Sequence, residues 1–199
     1  KKPIEERISL LLKEMTLEEK VGQMNQYNGF WDVTGPAPKG GSAELKYEHL
    51  RKGWVGSMLT VRGVKEVRAV QKIAVEQTRL GIPLLTSAEG IQGIIQNNCT
   101  LFPHALAQGS TFNPELIQQM TEAAGEEAKA IGIHQILSPV FDIARELRWG
   151  RIEETYGEDP YLIAEMGVAF IKGYQKYRIT CMPKHFVAHG TPSGDRKST

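Results

Sequence analysis

The sequence predicts an α/β fold built from parallel strand–helix–strand units, on three observations. Short apolar runs alternate with longer stretches of helical periodicity, Gly, Pro and Asn punctuate the junctions, and the strand-like runs turn polar at their C-terminal ends. Parallel strands need crossovers of a dozen or more residues, usually helical and almost always right-handed, and the spacings here suit them.

The elements follow in order. Ile4, Ile8, Leu11, Leu12 and Met15 recur at helical spacing and predict an amphipathic helix ending before Thr16. Thr16-Leu-Glu-Glu19 reads as a capping box that starts a second short helix, its hydroxyl and carboxylate satisfying backbone donors reciprocally. Residues 21–31 lead into 33–42, where three glycines and two prolines mark a long loop. A strand is predicted over 55–61 and a helix over 64–80, with Val67, Val70 and Ala74 inward and Gly81 and Pro83 ending it.

Residues 83–89 predict another strand, polar at its end, where an α/β protein places its site. Asn113-Pro-Glu-Leu supplies a cap, a first-turn proline and an early carboxylate for a helix. Leu116, Ile117, Met120, Ala124, Ala128 and Ile131 form its expected buried stripe, and Gly132 stops it. A strand over 134–142 precedes an arginine-rich loop. Asp159-Pro160 caps a helix through about Tyr174, a last strand spans 179–185, and 190–199 has loop composition.

That makes about five strands, the first of them weak. A complete (β/α)8 barrel of the TIM type takes about 250 residues and at least about 200. The 199 residues are therefore expected to hold the N-terminal half of such a barrel as one partial domain, with the remainder missing from the chain or removed from it.

With 41% hydrophobic and 24% charged residues the composition is that of globular protein, and a net charge of +1 gives no electrostatic case for nucleic acid or an anionic membrane as partner. Cys99 and Cys181 show neither CxxC nor Cys/His spacing, so no metal, cofactor or disulfide framework is expected. The start lacks an apolar signal-like core and no run of about 18 apolar residues occurs, which predicts a soluble chain.

Chemistry concentrates in residues 145–160 and 184–190. Arginine forks and a lysine point charge gathered at strand ends could grip a ligand rich in oxygens, as a sugar is. The competing reading is that these cations pair with Glu153, Glu154, Glu158 and Asp159 to pin a loop. Glu89, Asp142, Glu146 and Asp195 are the carboxylates expected near strand ends, and no two of them form an obvious pair.

Arg148-Trp-Gly-Arg151, then Glu154-Thr-Tyr-Gly-Glu-Asp159-Pro160, then Lys184-His185-Phe186 resemble the N-terminal barrel domain of glycoside hydrolase family 3, from about Thr16 to the end of the chain. That family contains β-glucosidases and β-xylosidases. The resemblance implies an exo-acting, retaining β-glucosidase that hydrolyses terminal non-reducing β-D-glucosyl residues. A β-xylosidase of the same family and a non-catalytic carbohydrate-binding half barrel are the alternatives. It further implies that the aspartate nucleophile and the glutamate acid/base lie beyond Thr199, so that no catalytic residue is assigned here and the chain alone is expected to be inactive. The implied partners are a β-glycoside or oligosaccharide, the rest of the barrel and a following domain, and the implied location is periplasmic or secreted.

Residue by residue, the resemblance implies that Lys184 and His185 contact sugar hydroxyls and that Arg151 contacts the same sugar. Glu89-Gly-Ile-Gln92-Gly93 aligns with a family pattern whose acid accepts hydrogen bonds from distal hydroxyls, Gln92 standing where histidine is usual. The competing readings are an ion pair from Lys184 to Asp142 or Glu89, a packed core histidine at 185, and Glu89 as partner to Arg151 or Lys184. Asp195 is in register with the aspartate of the family's N-acetylglucosaminidase branch, but Lys197 replaces that branch's catalytic histidine. A lysine near pKa 10.4 is a poor acid/base at neutral pH, which favours the glucosidase or xylosidase branch.

Overall fold

A computed structural model describes residues 2–29, 42–96, 98–186, 189 and 190. The chain divides into two compact units, Lys1–Thr86 and Ser87–Thr199. The expected loop over 33–42 falls almost wholly outside the described residues, as do Asp195 and Lys197.

The first unit contains α1 (Ile4–Glu14), α2 (Leu17–Gln23), β1 (Gln26–Asn28), α3 (Ser42–Arg51), β2 (Ser57–Leu59) and α4 (Val64–Glu76). β1 and β2 run parallel with Tyr27 opposite Met58. Val67, Val70 and Ala74 of α4 are buried, as their spacing predicts, against a cluster that includes Leu50, Val55, Met58, Val61 and Leu84. α4 stops at Glu76, before the Gly81 and Pro83 expected to end it. α3 was not foreseen.

The capping box forms. Glu19 N–H donates to Thr16 Oγ1 at 3.2 Å, and Thr16 N–H donates to a Glu19 carboxylate oxygen at 2.9 Å. The same carboxylate takes a two-pronged contact from Arg79, at 3.0 and 2.5 Å, and Arg79 also donates to the carbonyl of Glu14 at the end of α1. One buried acid thus ties the start of α2 to the segment after α4. α1 is present at the predicted place, yet its apolar stripe is not covered by the described residues. Ile4, Ile8 and Leu12 are 68%, 45% and 46% exposed, and only Met15 beyond its end is buried.

The hydrogen bond from Arg79, followed by the one from the Thr16 backbone, holds the Glu19 carboxyl below its ordinary value of 4.5. A carboxyl made more acidic by folding stabilises the fold above its unfolded pKa, and that contribution is lost as pH falls through the lower folded value. Between about pH 6 and about pH 3 the thermal midpoint should therefore fall less steeply for Glu19→Gln than for wild type. Parallel curves would show that the Arg79 clasp does not contribute.

The second unit holds β3 (Leu85–Ala88, which begins in the first unit), α5 (Ala105–Gly109), α6 (Pro114–Ile131), β4 (Gln135–Ile136), α7 (Pro160–Lys176) and β5 (Thr180–Cys181). β3 pairs parallel with β4, and β4 pairs parallel with β5. Asn113 caps α6 by accepting from Leu116 N–H, Asp159 caps α7 by accepting from Tyr161 N–H, and Gly132 ends α6 in the left-handed region at φ 86°. α6 packs on α7 at close range. A Cβ on Gly173 would stand 1.9 Å from Thr121 Oγ1. Ile117, Met120, Ala124 and Ala128 meet Ile163, Met166, Phe170 and Tyr174 in the core, while Leu116 is 46% exposed and Ile131 half-buried, contrary to the predicted stripe.

The strand expected over 134–142 is cut to two residues, and the cut shapes the site. Pro139 carries no N–H for a ladder. Beyond it the chain joins the 184 segment by a single bridge, Phe141 N–H donating to Lys184 O at 2.6 Å and Lys184 N–H to Pro139 O at 3.0 Å. Asp142 is thereby set beside the residues that follow β5.

Candidate functional site

Four segments deliver the site. Glu89 follows β3 directly, and its carbonyl accepts from the Ser138 hydroxyl at 2.6 Å, which clamps the strand end to the turn after β4. Lys184 and His185 follow β5, joined by a cis peptide bond. Arg151 sits at the start of a 3-10 turn, Ile152–Glu154. His189 and Gly190 lie against Trp149, which is 2% exposed. The His189 ring meets the indole edge-on with centroids 5.3 Å apart, and a Cβ on Gly190 would come within 3.1 Å of the indole.

The structure brings all four predicted residues together. Lys184 Nζ contacts Glu89 Oε2 at 2.5 Å, with the lysine side chain 11% exposed and the glutamate 48% exposed. Arg151 Nε donates to Glu154 Oε1 at 2.5 Å and Nη2 donates to Glu154 Oε2, a planar fork on a carboxylate. Arg151 Nη1 stands 3.2 Å from Nε2 of His185 and 3.2 Å from Nε2 of His189. His185 Nδ1 lies 2.7 Å from Asp142 Oδ2, whose side chain is 5% exposed. The fork from Glu154 pushes the Arg151 guanidinium further up, and the charges of Glu89 and Asp142 add to that against the opposing effect of burial.

The pairing readings weighed from sequence therefore hold alongside the convergence. Lys184 does meet Glu89, and Arg151 does meet Glu154. Glu146, one of the carboxylates expected near a strand end, is bound by Arg148 at 2.9 Å and held down to about 2 by those hydrogen bonds. A group that acidic is not a proton donor near neutral pH.

Glu89, Gln92, His104, Arg151, Lys184 and His185 line a hollow of about 490 Å³, together with Ile91, Ile95, Glu153 and Glu154. That is within the range of small-molecule sites, and the lining combines charged groups with the apolar Ile91 and Ile95. A larger hollow of about 630 Å³ in the first unit is lined by Leu17, Val21, Met24, Tyr27 and Trp54 among others, and lacks such convergent charge.

Two contributors escaped sequence reasoning. They are His189, whose position four residues after His185 is visible in the sequence, and His104, which lines the hollow. Asp142 was weighed as a partner for Lys184 and serves His185 instead.

The chain matches the glycosyl hydrolase family 3 N terminal domain over residues 16–198. It is 31% identical to a periplasmic β-glucosidase of Salmonella typhimurium, covering 94% of this chain and 24% of that protein. Over 125 residues it is 41% identical to a β-xylosidase of Formosa agariphila, covering 56% of this chain and 17% of that protein. A mutant β-glucosidase from Listeria innocua, crystallised with laminaribiose, shares 33% identity with a TM-score of 0.80 over 91% of this chain and 26% of that one. The chain thus spans about a quarter of the length of the Salmonella and Listeria proteins. The parallel strands with interleaved helices are part of a TIM-type α/β domain, and the chain belongs to the N-terminal domain family of the family 3 glycosyl hydrolases.

Proposed function

We propose that this chain forms the sugar-gripping part of an exo-acting, retaining β-glucosidase that removes terminal non-reducing β-D-glucosyl residues. The observation that carries the reading is the convergence of Glu89, Arg151, Lys184 and His185 in the lining of one hollow at strand ends. The ammonium of Lys184 and the guanidinium of Arg151 offer donors only, and Glu89 offers acceptors only, so a ring of hydroxyls, each both donor and acceptor, can satisfy both kinds. The sugar would slip between Lys184 and Glu89, exchanging one ion pair for hydroxyl bridges.

Retaining hydrolysis needs two carboxyl groups about 5–5.5 Å apart, one of them a nucleophile. Glu89, Asp142 and Glu146 each hold a cationic or imidazole partner, which suits positioning roles. Residues 1–199 are accordingly read as the N-terminal part of the barrel, with nucleophile and acid/base supplied by the rest of the barrel and a following domain. The relatives' names support a periplasmic or secreted location. A β-xylosidase is the second reading, favoured by the 41% identity to the Formosa protein.

Lys184→Met in the full-length protein is the test. Loss of one donor to a hydroxyl that must stay satisfied costs about 1–3 kcal/mol, or about tenfold or more in kcat/KM for an aryl β-glucoside. The side chain lies at a strand end outside the two core clusters, so the thermal midpoint should be nearly unchanged. Unaltered kinetics in a folded variant would remove Lys184 from the site, and a higher kcat/KM for the aryl β-xyloside in wild type would favour the second reading.

A further inference from the structure

We infer that the apolar hollow of the first unit is the seat of the helix that closes the barrel, a segment of the full-length protein beyond Thr199, gripped between α2 and α3 on the outer side of β1. This seat rests on the reading of residues 1–199 as the N-terminal part of a barrel, and names the surface on which the remainder docks.

The hollow has a volume of about 630 Å³, and its whole lining comes from residues 17–54. α2 supplies Leu17 and Val21 and, just past its end, Met24, which stand at i, i+4 and i+7 on one face. They are 72%, 53% and 80% exposed. The opposite side of the same helix is packed, with Glu19 buried and a Cβ on Gly22 only 2.4 Å from the Cα of Trp54. An amphipathic helix turns its apolar stripe toward a core. α2 is tied down on one side and shows a contiguous apolar stripe on the other, the pattern of a surface that another element covers.

Strand geometry tells which layer this is. Tyr27 stands opposite Met58 across the parallel β1–β2 ladder, so the two side chains share a face, and Met58 is buried in the cluster that holds Val67, Val70 and Ala74 of α4. The hollow beside Tyr27 therefore lies in the helix layer. α3 packs on α4 and also presents His49 to the hollow. β1 pairs with β2 and, among the described residues, with no other strand. In a (β/α)8 barrel the last strand–helix unit returns to the free edge of the first strand, and its helix completes the outer ring there.

The chemistry of the lining favours a packed helix over a polar ligand. The Tyr27 hydroxyl and His49 Nδ1 stand 2.6 Å apart and satisfy each other, and the Asn25 amide donates to the Trp54 carbonyl at 3.0 Å. What remains is mainly aliphatic and aromatic surface, with Glu18 as the one carboxylate among the described residues of the lining. A sugar would leave hydroxyls without partners there, whereas aliphatic side chains on one face of a helix would each gain by leaving water. The Salmonella and Listeria relatives, of which this chain covers 24% and 26%, have chain enough to supply such a helix.

Thiol labelling of the full-length protein tests the seat. In Met24→Cys the thiol should react with a maleimide at least about a hundredfold more slowly than in Lys20→Cys, an exposed position of α2 outside the lining, with equal rates in urea. In Glu18→p-benzoylphenylalanine, irradiation should cross-link the rim of the hollow to one segment of the same chain, beyond residue 199 and within the barrel. Equal labelling of Met24→Cys and Lys20→Cys in the folded protein would overturn the proposal, since the hollow would be open. Protection that disappears on dilution, with cross-linked dimers, would overturn it in favour of a second copy. A cross-link to a following domain, or none, would overturn it as well. Should Met24→Cys not fold, Val21→Cys takes its place. Protection at Met24→Cys with unaltered Lys184→Met kinetics would keep the seat and remove the sugar-gripping reading, and an open hollow with impaired Lys184→Met kinetics would do the reverse.

Discussion

Arg151→Lys in the full-length protein is expected to lower kcat/KM for an aryl β-glucoside by about a hundredfold while leaving the protein folded. The expectation follows from how the guanidinium is used. Its fork holds Glu154 with two parallel contacts, and its Nη1 serves two imidazoles at 3.2 Å each. A lysine keeps the charge but has no planar fork, and can satisfy Glu154 or the two imidazoles but not both. Each hydrogen bond to a charged group contributes about 1.5–3 kcal/mol, so losing the equivalent of one or two in the transition state costs of order 3 kcal/mol. That is about a hundredfold in rate. The arginine and glutamate side chains are 15% and 20% exposed, which leaves water able to reach whichever partner is abandoned and limits the damage to stability. A fall of less than about threefold in a folded Arg151→Lys enzyme would mean that the guanidinium is only a loop pin, the other reading of this arginine-rich stretch.

How much of this was legible beforehand divides along physical lines. Helix ends could be read because caps are local chemistry. Thr16 with Glu19, Asn113 with Pro114, Asp159 with Pro160, and Gly132 all act within one turn of the residue concerned, and all do what their types predict. The inward faces of α4 and α6 could be read because periodicity reports burial, although Leu116 shows that the edge of a stripe depends on what stands opposite. Strand lengths could not be read. Residues 134–142 look like one strand, and only Gln135–Ile136 pair on both sides, because Pro139 interrupts the ladder. The burial of α1 was not legible either, since its periodicity states which face is apolar and not what covers it.

The candidate site shows the same division. Arg151, Lys184, His185 and Glu89 carried recognisable motifs, and their convergence followed from placing motifs at strand ends. Which acid serves which base did not follow. Asp142 and Glu89 were both open to Lys184 in sequence. The bridge between Val140 and Lys184 decides the matter by turning His185 toward Asp142 and leaving Lys184 for Glu89. His189 passed unnoticed because a histidine after an alanine in a loop has no local signature. Its place in the site shows in the buried Trp149 on one side of it and the guanidinium on another.

Gly109→Ala is expected to damage stability and the site together, and the reason lies in what this glycine touches. It ends α5, and a Cβ there would stand 2.3 Å from the carbonyl oxygen of Tyr156, 3.0 Å from its carbonyl carbon and 3.1 Å from its Cα. Those are backbone atoms of a residue that is 2% exposed, so no side-chain rotation relieves the clash. Alanine in a helix is favoured over glycine by roughly 0.5–1 kcal/mol, whereas overpacking a close contact costs about 1–3 kcal/mol, and with backbone on the far side the upper part of that range applies. The net change should lower the thermal midpoint by roughly 3–10 °C. Relief can come only by moving the Tyr156 segment away from α5. That segment follows directly on the 3-10 turn, with Thr155 N–H donating to Ile152 O at 3.0 Å and Ala144 N–H donating to Gly157 O at 3.0 Å. Glu154 lies two residues earlier and holds Arg151, so the displacement reaches the guanidinium and kcat/KM should fall along with the midpoint. Ser110→Ala is the control, because that exposed neighbour contributes one hydroxyl contact to Leu106 O and should move stability by no more than about 0.5 kcal/mol. A Gly109→Ala protein with wild-type midpoint would show that the contact between α5 and Tyr156 is looser than drawn. A lowered midpoint with wild-type kinetics would show instead that the arginine loop holds its geometry without α5 behind it.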